Sequence, residues 1–300
     1  MPIALPDTKH IFYTSYGQSV NPAVVLIQGL SMPSTAWPQE MIDQLVEAGL
    51  YVISFDNRDI GKSKHYDEFK KPNLAFAIIK RKLGLRVKSD YSLSDMADDV
   101  VSLMDALSIS KASIIGVSMG GMIGQHLCSR YPQRVNTFIQ IMSTSGAKGI
   151  PGPSSEVTKH IAKGPAKYDR NSILEYNMQT QRLVGTREHP LEGERLRSFV
   201  EDNLAQGQTS AGILRQTNAI IADGDRSKIL ASIQAPTLII HGNKDPLVHI
   251  EGGRDAAQKI PNAVIHEINN MGHDLPPSLI DDISQLCVRH IKANTSEESQ

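Results

Sequence analysis

Short, nearly continuous apolar runs recur along the chain: Ala23-Val24-Val25-Leu26-Ile27, Tyr51-Val52-Ile53-Ser54-Phe55, Ala112-Ser113-Ile114-Ile115-Gly116-Val117, Phe138-Ile139-Gln140-Ile141-Met142, Thr237-Leu238-Ile239-Ile240 and Ala263-Val264-Ile265. A strand with one wet face alternates apolar and polar positions, whereas a strand covered on both faces reads as an unbroken apolar run. These segments therefore predict a mostly parallel central sheet flanked by helices. Between them the period becomes helical. Met41, Ile42, Leu45 and Val46 follow Pro38; Met96, Val100, Leu103 and Leu107 follow Ser92-Leu93-Ser94-Asp95, a capping-box sequence. Strands alternating with helices give an α/β fold with right-handed crossovers.

The alternation stops once. Residues 146–235 hold no strand pattern but several amphipathic helical stretches, such as 173–178 and 213–221, and Gly149, Pro151, Gly152 and Pro153 mark where they begin. The pattern predicts a core made of residues 1–145 and 236–292, with 146–235 inserted as a helical cap over one end of the strands. The polar, acidic segment 293–300 is expected to be disordered.

Composition narrows the function by exclusion. The chain has 300 residues, 40% apolar and 21% charged, with 31 Lys and Arg against 32 Asp and Glu. That near-neutrality lacks the broad basic face a nucleic-acid binder needs. No apolar run approaches the roughly 18 residues of an integral membrane segment. The N-terminus lacks the basic start and apolar stretch of a secretion signal, so a cytoplasmic location is expected. Cys128 and Cys287 make neither a disulfide framework nor a metal site, and Cys128 reads as a small core residue.

The candidate chemistry begins at Gly116-Val117-Ser118-Met119-Gly120, a Gly-x-Ser-x-Gly sequence directly after a predicted strand and before a helical stretch. The spacing alone is weak evidence. The strand–turn–helix setting is specific, because a serine on a tight turn projects its hydroxyl above the sheet and only small neighbours let the chain cross there. Such a serine needs a base, and the base an orienting acid, in the chain order serine, acid, histidine. Asp245 follows the strand at 237–240, while Asp223 and Asp225 fall in the insertion and Asp255 in a helix. His273 lies in the loop after the last strand; His266 falls within that strand, and His249 is too close to Asp245 to face it. The backbone N–H groups of Met119 and of Leu30, in the loop Gln28-Gly29-Leu30-Ser31-Met32, are the expected oxyanion donors. Met32 is a candidate for substrate contact.

With these residues in order, the chain resembles the α/β-hydrolase fold family and, within it, the serine esterase branch of aclacinomycin methylesterase-like carboxylesterases. The resemblance runs through Gln28-Gly29-Leu30, Phe55-Asp56-Asn57-Arg58-Asp59-Ile60-Gly61-Lys62-Ser63, Gly116 to Gly121, Asp245 and His273. It implies Ser118 as nucleophile, Asp245 as acid, His273 as base and Leu30 and Met119 as oxyanion donors. Two positions depart from the common pattern. Most relatives carry His-Gly where this chain has Gln28-Gly29, and Asp59 replaces the first glycine of an Asp-x-Arg-Gly-x-Gly-x-Ser turn, a variant shared by the methylesterase-like branch. That turn is expected to serve structure through Asp56 and Arg58. A serine nucleophile disfavours the aspartate-dependent haloalkane dehalogenases and epoxide hydrolases of this fold.

The expected activity is hydrolysis of small to medium carboxylic esters through an acyl-enzyme, with no metal or organic cofactor, by a monomer or homodimer. A lactonase, thioesterase or carbon–carbon bond hydrolase would use the same residues, and an idle binding protein is the reading from another class. The insertion holds 12 basic and 10 acidic residues, which gives no charge preference and points to apolar substrate pockets. Residues 62–88 differ: nine Lys and Arg stand against Asp67 and Glu68, around an apolar stripe of Leu74, Phe76, Ile78, Ile79 and Leu83. One reading packs this stripe on the body of the protein as a solvated basic helix. The other makes it a second lid element facing an anionic substrate or a membrane surface.

Overall fold

A computed structural model describes residues 11–295. In chain order its elements are β1 (Tyr13–Tyr16), β2 (Ala23–Ile27), α1 (Gln39–Glu47), β3 (Tyr51–Phe55), α2 (Leu74–Lys82), α3 (Leu93–Ala106), β4 (Ala112–Val117), α4 (Met119–Arg130), β5 (Val135–Ile141), α5 (Ser155–Lys163), α6 (Arg170–Val184), α7 (Gly193–Ala205), α8 (Ser210–Asp223), α9 (Ser227–Leu230), β6 (Thr237–Gly242), α10 (Glu251–Lys259), β7 (Val264–Ile268) and α11 (Ile280–Thr295). Short 3-10 turns lie between some of them. The seven strands form one sheet in the order β1-β3-β2-β4-β5-β6-β7. Among the strands of the described residues, β1 alone runs antiparallel to its neighbour, pairing Tyr13 with Phe55 and Tyr16 with Val52.

Alternate residues of the central strands feed two cores. Val25, Ile27, Ile114 and Phe138 face α3, α4 and α10, where Met96, Val100, Ile123, Leu127 and Ala256 are buried. Val24, Leu26, Ile115 and Ile240 face α1 and α11, where Met41, Leu45, Ile283, Cys287 and Ile291 are buried. Both faces being covered explains the unbroken apolar runs of these strands. The capping box before α3 forms as its sequence predicts: Ser92 Oγ accepts from Asp95 N–H and the Asp95 carboxylate accepts from Ser92 N–H.

Two strand expectations are corrected, at β5 and β7, and β1 is a strand that the apolar runs do not predict. β1 carries no apolar run, because an edge strand of four residues alternates buried Tyr13 with wetter positions. β5 begins at Val135, before the predicted run: Val135 pairs with Ala112, and the polar Asn136 and Thr137 lie in the strand where the register shifts before Phe138 pairs with Ile114. β7 closes the other edge of the sheet, and its Val264 is exposed rather than covered on both faces. The expectation of disorder from residue 293 is also corrected. α11 runs through Thr295, where Asn294 Nδ2 and Thr295 Oγ1 donate to the carbonyls of His290 and Ile291 one turn back; residues 296–300 lie outside the described ones.

Helices α5 to α9 occupy the stretch between β5 and β6. α6 and α7 bury Leu174, Met178, Leu196 and Val200 in a small core of their own. α8 instead docks on the body through a buried ion pair. Arg215 Nε donates to Asp59 Oδ2 at 2.8 Å and Arg215 Nη2 to Asp59 Oδ1 at 2.6 Å. Tyr91 O–H and Tyr66 N–H complete the shell around that carboxylate, each at 2.8 Å. Burial pushes the Asp59 carboxyl up, but these donors and the Arg215 charge outweigh it and hold the group below its usual range. Asp59 sits at φ 69°, a left-handed conformation that suits glycine and that Asp tolerates. The substitution of Asp for the glycine of the common turn is thereby explained: backbone shape is kept and a carboxylate is gained for α8. The rest of the turn is structural as expected. Asp56 accepts from Ser34 N–H and Lys62 N–H, and Arg58 donates to Asp99 at 2.7 Å between the rings of Tyr66 and Tyr91.

Among the described residues, no helix is long and apolar enough to cross a membrane.

Candidate active site

Every sequence-predicted chemical residue lies in a loop or helix start at the C-terminal end of a parallel strand, where open α/β sheets gather their sites. Ser118 follows β4 and caps α4 at φ 52°, ψ −117°. A non-glycine residue is held in this unfavourable region because both sides of the turn are fixed: Ser118 N–H donates to Ile141 O at 2.9 Å, and its carbonyl accepts from Gly121 N–H at 3.0 Å and from Ser143 Oγ at 2.7 Å. The turn closes only because Gly116 and Gly120 pass face to face, where a Cβ on Gly116 would run into the Gly120 carbonyl.

Asp245 follows β6 and His273 follows β7. His273 Nδ1 lies 2.6 Å from Asp245 Oδ2, and His273 Nε2 lies 3.1 Å from Ser118 Oγ. An ionised carboxylate only accepts, so Nδ1 carries the proton and donates it to Asp245. Nε2 is then the free acceptor facing the Ser118 hydroxyl. Asp245 is buried, and its second oxygen accepts from Leu247 N–H at 2.9 Å and Val248 N–H at 2.8 Å. Burial raises its carboxyl pKa, but the charge of His273 and hydrogen bonds from His241 and His273 prevail and hold it far below the ordinary carboxylate range. The competing histidines stand elsewhere: His266 pairs with Ile240 within the sheet, and His249 Nδ1 accepts from Glu251 N–H at the start of α10.

The loop after β2 approaches the serine from the other side. A Cβ on Gly29 would stand 3.2 Å from the Ser118 Cβ, so Gly29-Leu30 runs directly past the hydroxyl. Gln28 takes the place of the relatives' histidine by turning its side chain back, where Oε1 accepts from Gly29 N–H at 3.1 Å, while its carbonyl accepts from Asn57 Nδ2. Met119 opens α4, so its N–H has no acceptor within the helix and adds to the positive end of the helix dipole. Met32 is half-buried one turn beyond Gly29, to whose carbonyl its N–H points at 3.4 Å.

Several residues around these were not singled out by sequence. His241 lies directly under Asp245; its Nε2–H donates to Val248 O at 2.8 Å and faces Asp245 Oδ2 at 3.5 Å. The helical insertion holds two of the loops. His273 N–H donates to Val184 O at 2.7 Å, and Gly272 N–H donates to Thr186 Oγ1 at 2.9 Å. Thr186 in turn donates through both N–H and O–H to Asp274 Oδ1, at 3.0 and 2.6 Å, and burial raises the Asp274 carboxyl despite these bonds. On the opposite side, Ser31 N–H donates to Gln216 Oε1 at 3.0 Å and Ser31 O accepts from Gln208 Nε2 at 2.7 Å. No local sequence signal marks these partners, because each lies far from its loop in the chain. The two cysteines are buried away from this chemistry, and burial raises both thiols, Cys287 to about 12. Among the described residues, no group of three or more His, Cys, Asp or Glu could hold a metal ion.

The chain matches the alpha/beta hydrolase fold family over residues 22–276. It is 26% identical to a rhodomycin D methylesterase from Streptomyces sp. (strain C5), over 96% of this chain and 97% of that protein. It is 24% identical to 3-oxoadipate enol-lactonase 2 from Acinetobacter baylyi, over 84% of this chain and 82% of that one. The crystal structure of an esterase from Rhodococcus sp. ECU1013 superimposes with a TM-score of 0.74 at 17% identity, covering 98% of each chain, which shows the shared fold.

Proposed function

Because the chain belongs to the alpha/beta hydrolase fold family, matched over residues 22–276, we propose that it is a serine hydrolase cleaving small to medium carboxylic esters, with Ser118 as nucleophile, His273 as base and Asp245 as orienting acid. The observation that carries this reading is the line from Ser118 Oγ to His273 Nε2 at 3.1 Å and from His273 Nδ1 to Asp245 Oδ2 at 2.6 Å. As the Ser118 oxygen attacks an ester carbonyl, Nε2 takes its proton and the Asp245 carboxylate faces the imidazolium that forms. The N–H groups of Leu30 and Met119 are the donors for the tetrahedral oxyanion. His273 returns the proton to the departing alcohol, and a water activated by the same imidazole releases the acyl group. Residues 146–235 act as a cap over these loops, with their bonds to His273, Gly272 and Ser31 supporting that role.

The relative named rhodomycin D methylesterase supports an ester whose leaving group is a small alcohol. The relative named an enol-lactonase favours a second reading, an internal ester, for which the chemistry is identical and only the leaving oxygen stays tethered. Ser118→Ala is expected to lower turnover of p-nitrophenyl acetate by roughly 10³-fold or more, with the far-ultraviolet circular dichroism unchanged. It should also abolish labelling by a fluorophosphonate probe. Wild-type turnover in that variant overturns the assignment. A panel of methyl esters and lactones then separates the two substrate readings.

A further inference from the structure

α2 is turned inside out. Its face toward the body carries half-buried Leu74, buried Ala77 and Arg81, whose guanidinium lies against Gly224 at the end of α8. Phe76, Ile79 and Leu83, at the i, i+3, i+7 spacing of one helix face, point to solvent at 56%, 55% and 69% exposure, and Leu85 just beyond is 53% exposed. Of the stripe read from the sequence, Phe76, Ile78, Ile79 and Leu83 are exposed rather than packed on the body, and only Leu74 turns toward it. A large apolar side chain exposed singly is ordinary; several aligned on one helix face are not. The border of the stripe is basic. Lys70, Lys71, Lys82 and Arg86 are exposed, and the Lys80 ammonium stands 4.7 Å over the Phe76 ring. Across residues 62–88 nine Lys and Arg face only Asp67 and Glu68, and Glu68 is engaged by Lys64 at 3.4 Å.

We propose that this face is a docking surface for an anionic lipid bilayer, with Phe76, Ile79, Leu83 and Leu85 entering the headgroup–acyl boundary and the surrounding Lys and Arg side chains meeting lipid phosphates. Charge complementarity selects this occupant. A second copy of the chain would oppose one strongly basic surface with another, whereas an anionic bilayer offers an apolar layer and negative charge together. Basic side chains over an apolar helix face are also what holds a short helix in the plane of an interface. Because α2 packs on α8, which carries Gln216, docking would set the cap helix that touches the Ser31 loop beside the bilayer.

The test is co-sedimentation of the full-length protein with vesicles. Binding is expected to equal parts phosphatidylglycerol and phosphatidylcholine, and neither to phosphatidylcholine alone nor at high salt. Lys82→Glu and Arg86→Glu should each weaken partitioning roughly fivefold or more. The double variant Ile79→Asp/Leu83→Asp should lose binding more than tenfold while its circular dichroism and thermal midpoint match the wild type, since both side chains are exposed. Absence of wild-type binding to the anionic vesicles overturns the proposal, as does binding that these substitutions leave unchanged. Self-association that Ile79→Asp/Leu83→Asp abolishes, without vesicle binding, overturns it in favour of an interface between copies.

Discussion

Protons at the candidate site are placed by acceptors that cannot donate. The buried Asp245 carboxylate takes the Nδ1 proton of His273 and two backbone N–H groups, which leaves Nε2 as the free acceptor toward Ser118. Replacing the carboxylate by an amide of the same shape removes that discrimination, because an amide can donate to the imidazole and favour the wrong tautomer. Asp245→Asn is therefore expected to lower kcat for a soluble p-nitrophenyl ester by roughly 10³- to 10⁴-fold, with little change in KM. A KM increase at unchanged kcat would show that Asp245 serves substrate binding instead. His241 holds the same carboxylate from below. Its Nε2–H is directed by the Val248 carbonyl, and its Nδ1 is buried with no partner among the described residues.

At the scale of elements, α8 is the joint between the insertion and the body, made by Arg215 on Asp59 and by Gln216 on Ser31 and Arg58. Both members of the ion pair are buried, so removing one strands the other's charge. Arg215→Leu is expected to destabilise the protein by roughly 3–5 kcal/mol in urea unfolding. Adding Asp59→Gly, which also relieves the left-handed backbone at φ 69°, should restore much of that loss. Additive losses in the double variant would mean that the two residues do not act as a pair. The resemblance implied that the turn Asp56-Asn57-Arg58-Asp59 is structural, yet the partner that makes Asp59 useful lies on a helix some 156 positions later.

For the whole molecule, pH dependence follows from carboxylates whose environments differ. Asp59, Asp223 and Asp245 are held below the ordinary range: burial raises each, but Arg215, the pair His126 and Arg226, and His273 with His241 respectively prevail. A depressed folded pKa contributes stability that is fully present above the unfolded value and lost as pH falls through the folded one. The thermal midpoint should therefore decline progressively below about pH 4. Asp274 acts oppositely: raised by burial, its contribution is present below the unfolded value and lost as pH rises through the folded one. A midpoint that stays constant from pH 5 down to pH 2 would contradict this balance.

Sequence alone marked the apolar runs of β2, β3, β4 and β6 and the helix starts near Pro38 and Ser92, and it offered Ser118, Asp245 and His273 as candidates in the order a triad requires. Each rests on local physics: a strand covered on both faces must be apolar throughout, a capping box closes within four residues, and a strand–serine–helix turn needs its glycines in place. Only tertiary structure decided the rest. β1 and β7 are edges because of where they fall in the sheet, which no local pattern encodes. The exposed apolar face of α2 turns outward while Leu74, Ala77 and Arg81, on the opposite face, meet the body, with Arg81 against Gly224 at the end of α8. His241, Thr186, Asp274, Gln208 and Gln216 reach the site loops by contacts that the fold alone brings together, since a hydrogen bond depends on a few tenths of an ångström in space and on nothing that separation along a chain preserves.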